Sequence, residues 1–347
     1  MNPHLQPWTI AAEDFPADSY ASDQLEFLIG YAILAPSSHN TQPWLFRINA
    51  MDVEIHADRR RVLAAIDPNL RELVTSCGAA LFNLRTAAEY FGHRYEVELF
   101  PLPDQPDCIA RFRLGLSGET SSDDIVTFHA MTQRHTHRGP FRPDPLPDDI
   151  AAELVAVAQQ EGATLQLITG DEGRAVIADA VAEADRVQWA DKGFREELAR
   201  WVRPKPQLAV DGLPTSEAGV SDWLAFAGPA LIRTFDRGGG QAARHREIAA
   251  HAPTLAILST DTDDPLAWVR AGQALQSVLL HARTEDVWAS FLNQATEVPE
   301  VRARMAASLG VAGFPQVVLR LGYGEAVTPT PRRSVREMLI MHRTGHA

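Results

Sequence analysis

The sequence predicts an α+β protein built as two related halves, and three observations carry this. The chain has 347 residues, more than one minimal domain needs and about right for two coupled halves. Helical periodicity and strand-like alternation interleave along its length. A helical segment also recurs: Cys77-Gly78-Ala79-Ala80-Leu81-Phe82-Asn83-Leu84 can be laid over Ala271-Gly272-Gln273-Ala274-Leu275-Gln276-Ser277-Val278. Each copy follows a strand and an aspartate–proline turn, Asp67-Pro68 in one and Asp264-Pro265 in the other. A polar break at 117–124 marks the junction, giving halves of residues 1–120 and 121–347.

In chain order, residues 1–20 carry Pro3, Pro7 and Pro16 and read as an extended arm. Ser22 is placed to cap a helix whose apolar face is Leu25, Leu28, Ile29, Ala32 and Ile33. Pro36 stops that helix, because the residue before a proline is pushed out of the helical region. Strands are expected over 45–48, 53–56 and 64–66. A turn at Asp67-Pro68-Asn69 leads into a helix over 72–91, closed by Gly92. Its small central residues let another helix pack closely. Strands follow at 95–101 and 109–116, then a short helix at 128–133, a helix at 148–161, a strand at 165–169 and a long charged helix at 171–201. Residues 203–240, with Pro204, Pro206, Pro214 and Gly238-Gly239-Gly240, read as loop-rich. Such a stretch inside a compact protein suggests a lid over a site. A strand at 254–259, a helix at 267–283, a helix opened by Pro299 and closed by Gly310, and a strand at 316–321 complete the pattern.

Composition narrows the function. Apolar residues make up 45% and charged residues 22%, the balance of a globular protein. The net charge of −13 disfavours a general nucleic-acid or anionic-membrane binder. The cations are nearly all arginine; Lys192 and Lys205 are the only lysines. Two cysteines, Cys77 and Cys108, do not suggest a disulfide scaffold. The first twenty residues hold Glu13, Asp14 and Asp18 and no long apolar run, and no stretch approaches the roughly 18 apolar residues of a membrane span. The expectation is a cytoplasmic protein.

The most informative stretch is Ala35-Pro36-Ser37-Ser38-His39-Asn40-Thr41-Gln42-Pro43-Trp44. Short hydroxyl and amide side chains lie between two prolines, at the end of a helix. Such a loop suits a flat polar molecule. Its Pro-Ser-Ser-x-Asn-x-Gln-Pro-Trp pattern resembles the signature loop of flavin-dependent nitroreductases, with every fixed position matched. The whole chain resembles the Acg-type members, which carry two nitroreductase-like halves on one chain. The resemblance implies a nitroreductase-like fold, each half an antiparallel-type sheet packed by helices around a central helix. It also implies FMN bound through Pro36, Ser37, Ser38, Asn40 and Gln42. The polar loop occurs once, in the first half, and the arginine motifs once, in the second. One flavin between the halves is therefore expected in a pseudo-dimeric single chain, with further association left open.

Arg134-x-Thr136-x-Arg138 puts two guanidinium groups and a hydroxyl on one side of an extended segment. Taken alone, it fits a solvated basic turn as well as an anion site. The spacing resembles the arginine–serine–x–arginine phosphate motif of the family, with Thr136 in the serine position. Arg332-Arg333 resembles the family's C-terminal phosphate-contacting pair. By the same resemblance Leu292, Asn293 and Gln294 would meet the flavin ring edge, and Asn69 and Arg71 the pyrimidine edge. His135 and His137 also alternate onto one side, but no third ligand at metal spacing accompanies them. Dinucleotide-fold, NTPase and serine-hydrolase motifs are missing from the sequence.

The first function expected is an FMN-dependent oxidoreductase. The resemblance implies that NADH or NADPH reduces the flavin, which then reduces a nitro, quinone or other small-molecule acceptor. The flavin carries the redox chemistry, so no catalytic side chain is named. The alternatives are a protein that stores flavin under a cover with little turnover, and a degenerate member acting through protein contacts.

Overall fold

In the computed structural model, which describes residues 3–204, 209–214, 228–234 and 238–340, two four-stranded antiparallel sheets share one topology. The first half runs α1 (Ala21–Ala32), β1 (Trp44–Asn49), β2 (Asp52–Ala57), α2 (Arg71–Tyr90), β3 (His93–Leu99) and β4 (Cys108–Ser117), followed by α3 (Ser122–Met131). The second half begins with α4 (Asp148–Gln160) and β5 (Thr164–Ile168). An insertion then carries α5 (Asp171–Ala190), α6 (Lys192–Trp201), the short strands β6 (Val202–Arg203) and β7 (Leu213–Pro214), α7 (Gly228–Thr234) and α8 (Gly238–Ala250). The half resumes with β8 (Thr254–Thr260), α9 (Pro265–Thr284), β9 (Trp288–Phe291), α10 (Gln294–Glu297), α11 (Pro299–Leu309), β10 (Phe314–Gly322) and α12 (Val335–Met338).

The sheet orders are β1-β2-β4-β3 and β5-β8-β10-β9. In each, a helix precedes the first strand and a twenty-residue helix lies between the second and third. The halves differ at one place. A tight turn at Ala50 and Met51 joins β1 to β2, whereas residues 169–253 separate β5 from β8.

The recurring segment forms the contact between the halves. A Cβ on Gly78 would lie 2.3 Å from the Val269 carbonyl oxygen, and one on Gly272 would lie 2.0 Å from that of Thr75. The relation is reciprocal: each glycine abuts the residue three positions before the other. That is the signature of a two-fold axis through a helix pair. Aspartates cap both helices. Asp67 accepts from the backbone N–H groups of Glu72 and Leu73 at 3.1 and 2.9 Å, and Asp264 from that of Ala267 at 3.0 Å.

The two sheets bury their faces differently. In β2, Val53 and Ile55 face the first core, while Glu54 on the other side is paired with Arg47 and Arg111, each at 3.1 Å. In β8 both faces are apolar: Ala256 and Leu258 face the α9 side, Leu255 and Ile257 the side covered by α5 and α11. The insertion is what buries the second face. It also reaches the first half, where Trp189, Phe194 and Leu198 pack on Leu63 and Ile66. The Ala65 N–H donates to Glu197 at 3.1 Å, and Arg61 pairs with Asp211 at 2.8 Å. The chain ends cross back too, with Ile340 N–H donating to Phe46 O at 2.7 Å and Trp8 Nε1 to Thr330 O at 2.7 Å.

Several local expectations are corrected. Residues 3–9 and 12–14 form 3₁₀ turns rather than an extended arm, because Trp8 is anchored on the distant Thr330. The first helix starts at Ala21, so Ser22 lies inside it. Residues 64–66 are no strand; they turn to meet the insertion. The helix expected at 128–133 starts earlier, under a capping box at Ser121 and Asp124. The helix over 171–201 breaks at Asp191, whose side chain accepts from Gly193 N–H and caps α6. Gly238-Gly239-Gly240 opens α8 instead of marking a loop. Of the expected lid at 203–240, residues 205–208, 215–227 and 235–237 lie outside the described residues. Among the described residues, no helix is long and apolar enough to cross a membrane.

Candidate functional site

A cavity of about 430 Å³ opens at the seam between the two halves, and the insertion forms its third wall. The first half contributes the polar loop and the start of α2. The loop is strained, with left-handed backbone at His39 (φ 50°), Asn40 (φ 52°) and Gln42 (φ 51°). Non-glycine residues hold such angles only when surrounding contacts impose them. The contacts are present. Gln42 N–H donates to Ser37 Oγ at 2.9 Å, Asn40 Nδ2 donates to Pro331 O at 3.1 Å, and Gln42 Nε2 donates to Val210 O at 2.8 Å. Pro36, Ser37, Ser38 and Asn40 line the cavity. Gln42 does not; it is fully buried and accepts from Arg333 N–H at 2.8 Å, so it holds the loop rather than facing a ligand.

Asn40 is the hub. Its Oδ1 accepts from Arg332 at 3.0 Å while its Nδ2 binds Pro331 O. Asn40→Ala removes both buried bonds and places a Cβ residue without a local polar partner in left-handed backbone. A loss of about 3 kcal/mol in urea unfolding is expected, of which Asn40→Gly recovers about 1 kcal/mol.

The second half contributes the arginines. Residues 134–138 pair along β9 through a parallel bridge from Thr136 to Ala289, and His137 N–H donates to Ala289 O at 2.9 Å. The extended backbone gives the expected alternation. Arg134, Thr136 and Arg138 line the cavity, while His135 packs edge-on against Trp8 at 4.5 Å and His137 stacks on Phe141 at 4.9 Å. Burial, with Arg134 and Arg332 nearby, pushes His135 down to about 3, so it stays neutral.

Of the C-terminal pair, Arg332 points inward. Its guanidinium donates to Ile33 O, Leu34 O and Ala35 O at 2.9–3.1 Å, the carbonyls that follow the end of α1. Arg134 donates to the same Leu34 O at 3.0 Å. Arg333 turns away, to Gln42 O and Glu337 O. Among the described residues Arg134 and Arg332 meet no carboxylate, and Arg134 Nε has no partner. The helix C-terminus supplies only about half a negative charge against their two positive ones. Burial, reinforced by Arg138, depresses Arg134 to about 10; burial, then Arg134 and Arg138, hold Arg332 well below its ordinary value. The pair is under-neutralised and suited to an anion.

Leu292, Asn293 and Gln294 line the cavity. Leu292 N–H is already committed to Val318 O at 2.9 Å, and Asn293 Oδ1 accepts from Val318 N–H at 3.2 Å. Asn69 and Arg71 are not in the wall. Asn69 is exposed, and Arg71 is buried, donating to Gln316 O at 2.8 Å and Thr296 O at 3.1 Å.

The lining residues that escaped the sequence reading include Glu72, Glu297, Asp185 and His245. His245 Nδ1 lies 2.8 Å from Asp185 Oδ2 and 3.1 Å from the Gln294 amide, tying the insertion to the start of α10. A signal existed for Asp185. It falls on the apolar stripe of α5, four residues after Val181 and eight after Ile177, where a charge calls for a partner.

The nitroreductase family profile matches residues 131–323, more than half of the chain. Rv3131 of Mycobacterium tuberculosis, which carries NAD(P)H nitroreductase as an unproven assignment, is 29% identical over 92% of this chain and 91% of its own. Acg of the same organism, with the same unproven assignment, is 27% identical over 95% of this chain and 99% of its own. Among solved structures, the FMN-dependent nitroreductase NfnB of Mycobacterium smegmatis in complex with NADPH aligns at a TM-score of 0.41 and 16% identity, covering 63% of this chain and 99% of its own.

Proposed function

The chain belongs to the nitroreductase family, and from that premise we propose that it is an FMN-dependent oxidoreductase taking electrons from NAD(P)H to a small nitro, quinone or similar acceptor. The observation that carries the reading is the pair of buried guanidinium groups with neutral partners, Arg134 and Arg332. An FMN phosphate is the anion they lack. Thr136 and Arg138, on the same side of the segment, would complete its binding. The loop residues Pro36, Ser37, Ser38 and Asn40 would face the ring from the first half, with Asn293 and Gln294 opposite. The two halves, residues 1–120 and 121–347, would then hold one flavin between them.

The bound flavin supplies hydride acceptance from NAD(P)H and hydride donation to the acceptor. The residues do the rest. The arginines fix the anionic end by charge-assisted bonds. The Ser38 hydroxyl donates a hydrogen bond to Glu72, which leaves the hydroxyl lone pairs to accept from a ligand N–H. Trp189 and Phe194 form an apolar wall that excludes water.

That wall also favours a second reading. The insertion is bonded to both halves and walls one side of the cavity, and a flavin held behind it would turn over slowly. Anaerobic mixing of the FMN-loaded protein with NADH or NADPH separates the two. Loss of the oxidised flavin absorbance within seconds is expected for the enzyme; no bleaching over minutes would leave a flavin store. Protein that stays colourless after incubation with FMN would end both.

A further inference from the structure

The outer face of the first sheet carries a cluster that the flavin reading does not use. Elsewhere on that face the charges meet water: Arg113 pairs with Asp52 at 2.8 Å and Arg111 with Glu98 at 3.3 Å, each pair with one exposed partner or both. Glu54, His56 and Cys108 differ. All three are buried, Cys108 completely. Their oxygen, nitrogen and sulfur ligand atoms lie within 4.8 Å of one another.

A break in strand pairing assembles the cluster. Strands β2 and β4 pair regularly from Asp52 opposite Arg113 to Ile55 opposite Ala110. The next partner of His56 is Cys108 rather than Ile109, so β4 carries a bulge there. In unbroken register Ile109 would stand beside His56 on the outer face. The bulge turns Ile109 into the first core and puts Cys108 opposite His56 instead. Glu54, two residues before His56, shares its face by the alternation of a strand.

The ligand types suit one class of ion. Thiolate and imidazole select zinc and its soft neighbours over magnesium and calcium, which take oxygen. Zinc bonds of about 2.0–2.3 Å in a tetrahedron put neighbouring ligand atoms roughly 3.3–3.8 Å apart. His56 Nε2 and Glu54 Oε2 are already 3.0 Å apart. Closing the trio from 4.8 Å therefore takes shifts of about 1 Å. The neighbouring arginines leave room for this. Arg47 donates to Glu54 Oε2 and Arg111 to Oε1, each at 3.1 Å. A metal on Oε2 displaces only Arg47, whose side chain is 31% exposed and can turn to water. Arg111 keeps Oε1 and orients the carboxylate from outside, as partners of ligating carboxylates do. Two anionic ligands offset the charge of a divalent ion.

We propose that Glu54, His56 and Cys108 bind one zinc-like divalent ion, with water in the fourth position. Binding breaks the Cys108 S–H bond; the proton passes to water and the sulfur electron pair to the metal. The site is separate from the flavin cavity, since none of the three residues lines it.

The test uses the full chain without a histidine tag, free of FMN and stripped of metal with a chelator. Equilibrium dialysis against micromolar zinc should leave one ion on each chain. Cys108→Ser and His56→Gln should each weaken binding by more than about 100-fold, since losing even an outer partner costs about 10–100-fold. Cobalt in place of zinc should give a thiolate-to-cobalt charge-transfer band in the near ultraviolet, present in wild type and absent in C108S. Zinc should raise the wild-type Tm and leave that of C108S unmoved. No zinc retained by wild type overturns the site. Unchanged affinity in either variant, or a cobalt complex without the sulfur band, also overturns it and means an adventitious ion only. If C108S does not fold, His56→Gln and the wild-type cobalt spectrum decide. FMN uptake and bleaching are read separately, so failure of the oxidoreductase reading and failure of the metal site are told apart.

Discussion

Arg134→Met is expected to stabilise the FMN-free protein by about 1–3 kcal/mol and to weaken FMN binding about 100-fold. The opposite signs come from one cause. The Arg134 guanidinium is buried without a carboxylate among the described residues, and its pKa is depressed to about 10, so its charged form costs stability at every pH below that. Methionine fills similar volume without the charge. The one hydrogen bond lost is to Leu34 O, which still accepts from Arg332 at 3.1 Å. Once a phosphate is bound the balance reverses, because a charge-assisted bond contributes about 1.5–3 kcal/mol. Urea unfolding of the FMN-free variant and titration of FMN fluorescence measure the two effects separately. A variant that is both less stable and unchanged in FMN affinity would make Arg134 a helix-end cap and nothing more.

Gly272→Ala is expected to cost more than about 3 kcal/mol, or to abolish soluble expression. Its Cβ would sit 2.0 Å from Thr75 O, 2.9 Å from Ala79 N and 2.9 Å from Gly78 Cα. All three are backbone atoms of the partner helix, so no side chain can rotate away. The two central helices must separate, and the cavity between the halves opens with them. Gly78→Ala meets Val269 backbone at 2.3 Å in the same way. The double variant should lose less than the sum, since one separation relieves both clashes. Gly239→Ala is the control. Nothing lies within 4 Å of its Cβ, so the change should be neutral or stabilise α8 by up to about 1 kcal/mol. Equal effects at Gly239 and Gly272 in urea unfolding would contradict the reciprocal contact.

Much of the site was legible because it is local. The loop from Pro36 to Trp44 announces itself by composition alone. The cavity-lining of Arg134, Thr136 and Arg138 follows from the period of an extended chain. The helix pair was legible for a similar reason, since small residues at matched positions leave room for a neighbour. Gln42 and Arg333 stay out of the cavity wall because distant partners hold them, Gln42 Nε2 on Val210 O and Arg333 N–H on Gln42 Oε1, and no local pattern shows such contacts. The insertion was misread as well. Glycine and proline counts describe propensity, and α8 forms through three glycines because it packs on α5, with His245 held by Asp185.

The sequence by itself determined most of the elements outside the insertion, the polar loop, the repeated helix and the spacing of the arginines, because these depend on neighbours a few residues apart. Tertiary structure decided which arginine of Arg332-Arg333 faces the cavity, that the insertion bridges both halves, and that Glu72 and Glu297, 225 positions apart, line one cavity. Those outcomes depend on where two sheets and two helices come to rest against one another. No short-range preference encodes that closure; the fit of the central helices through Gly78 and Gly272 sets it.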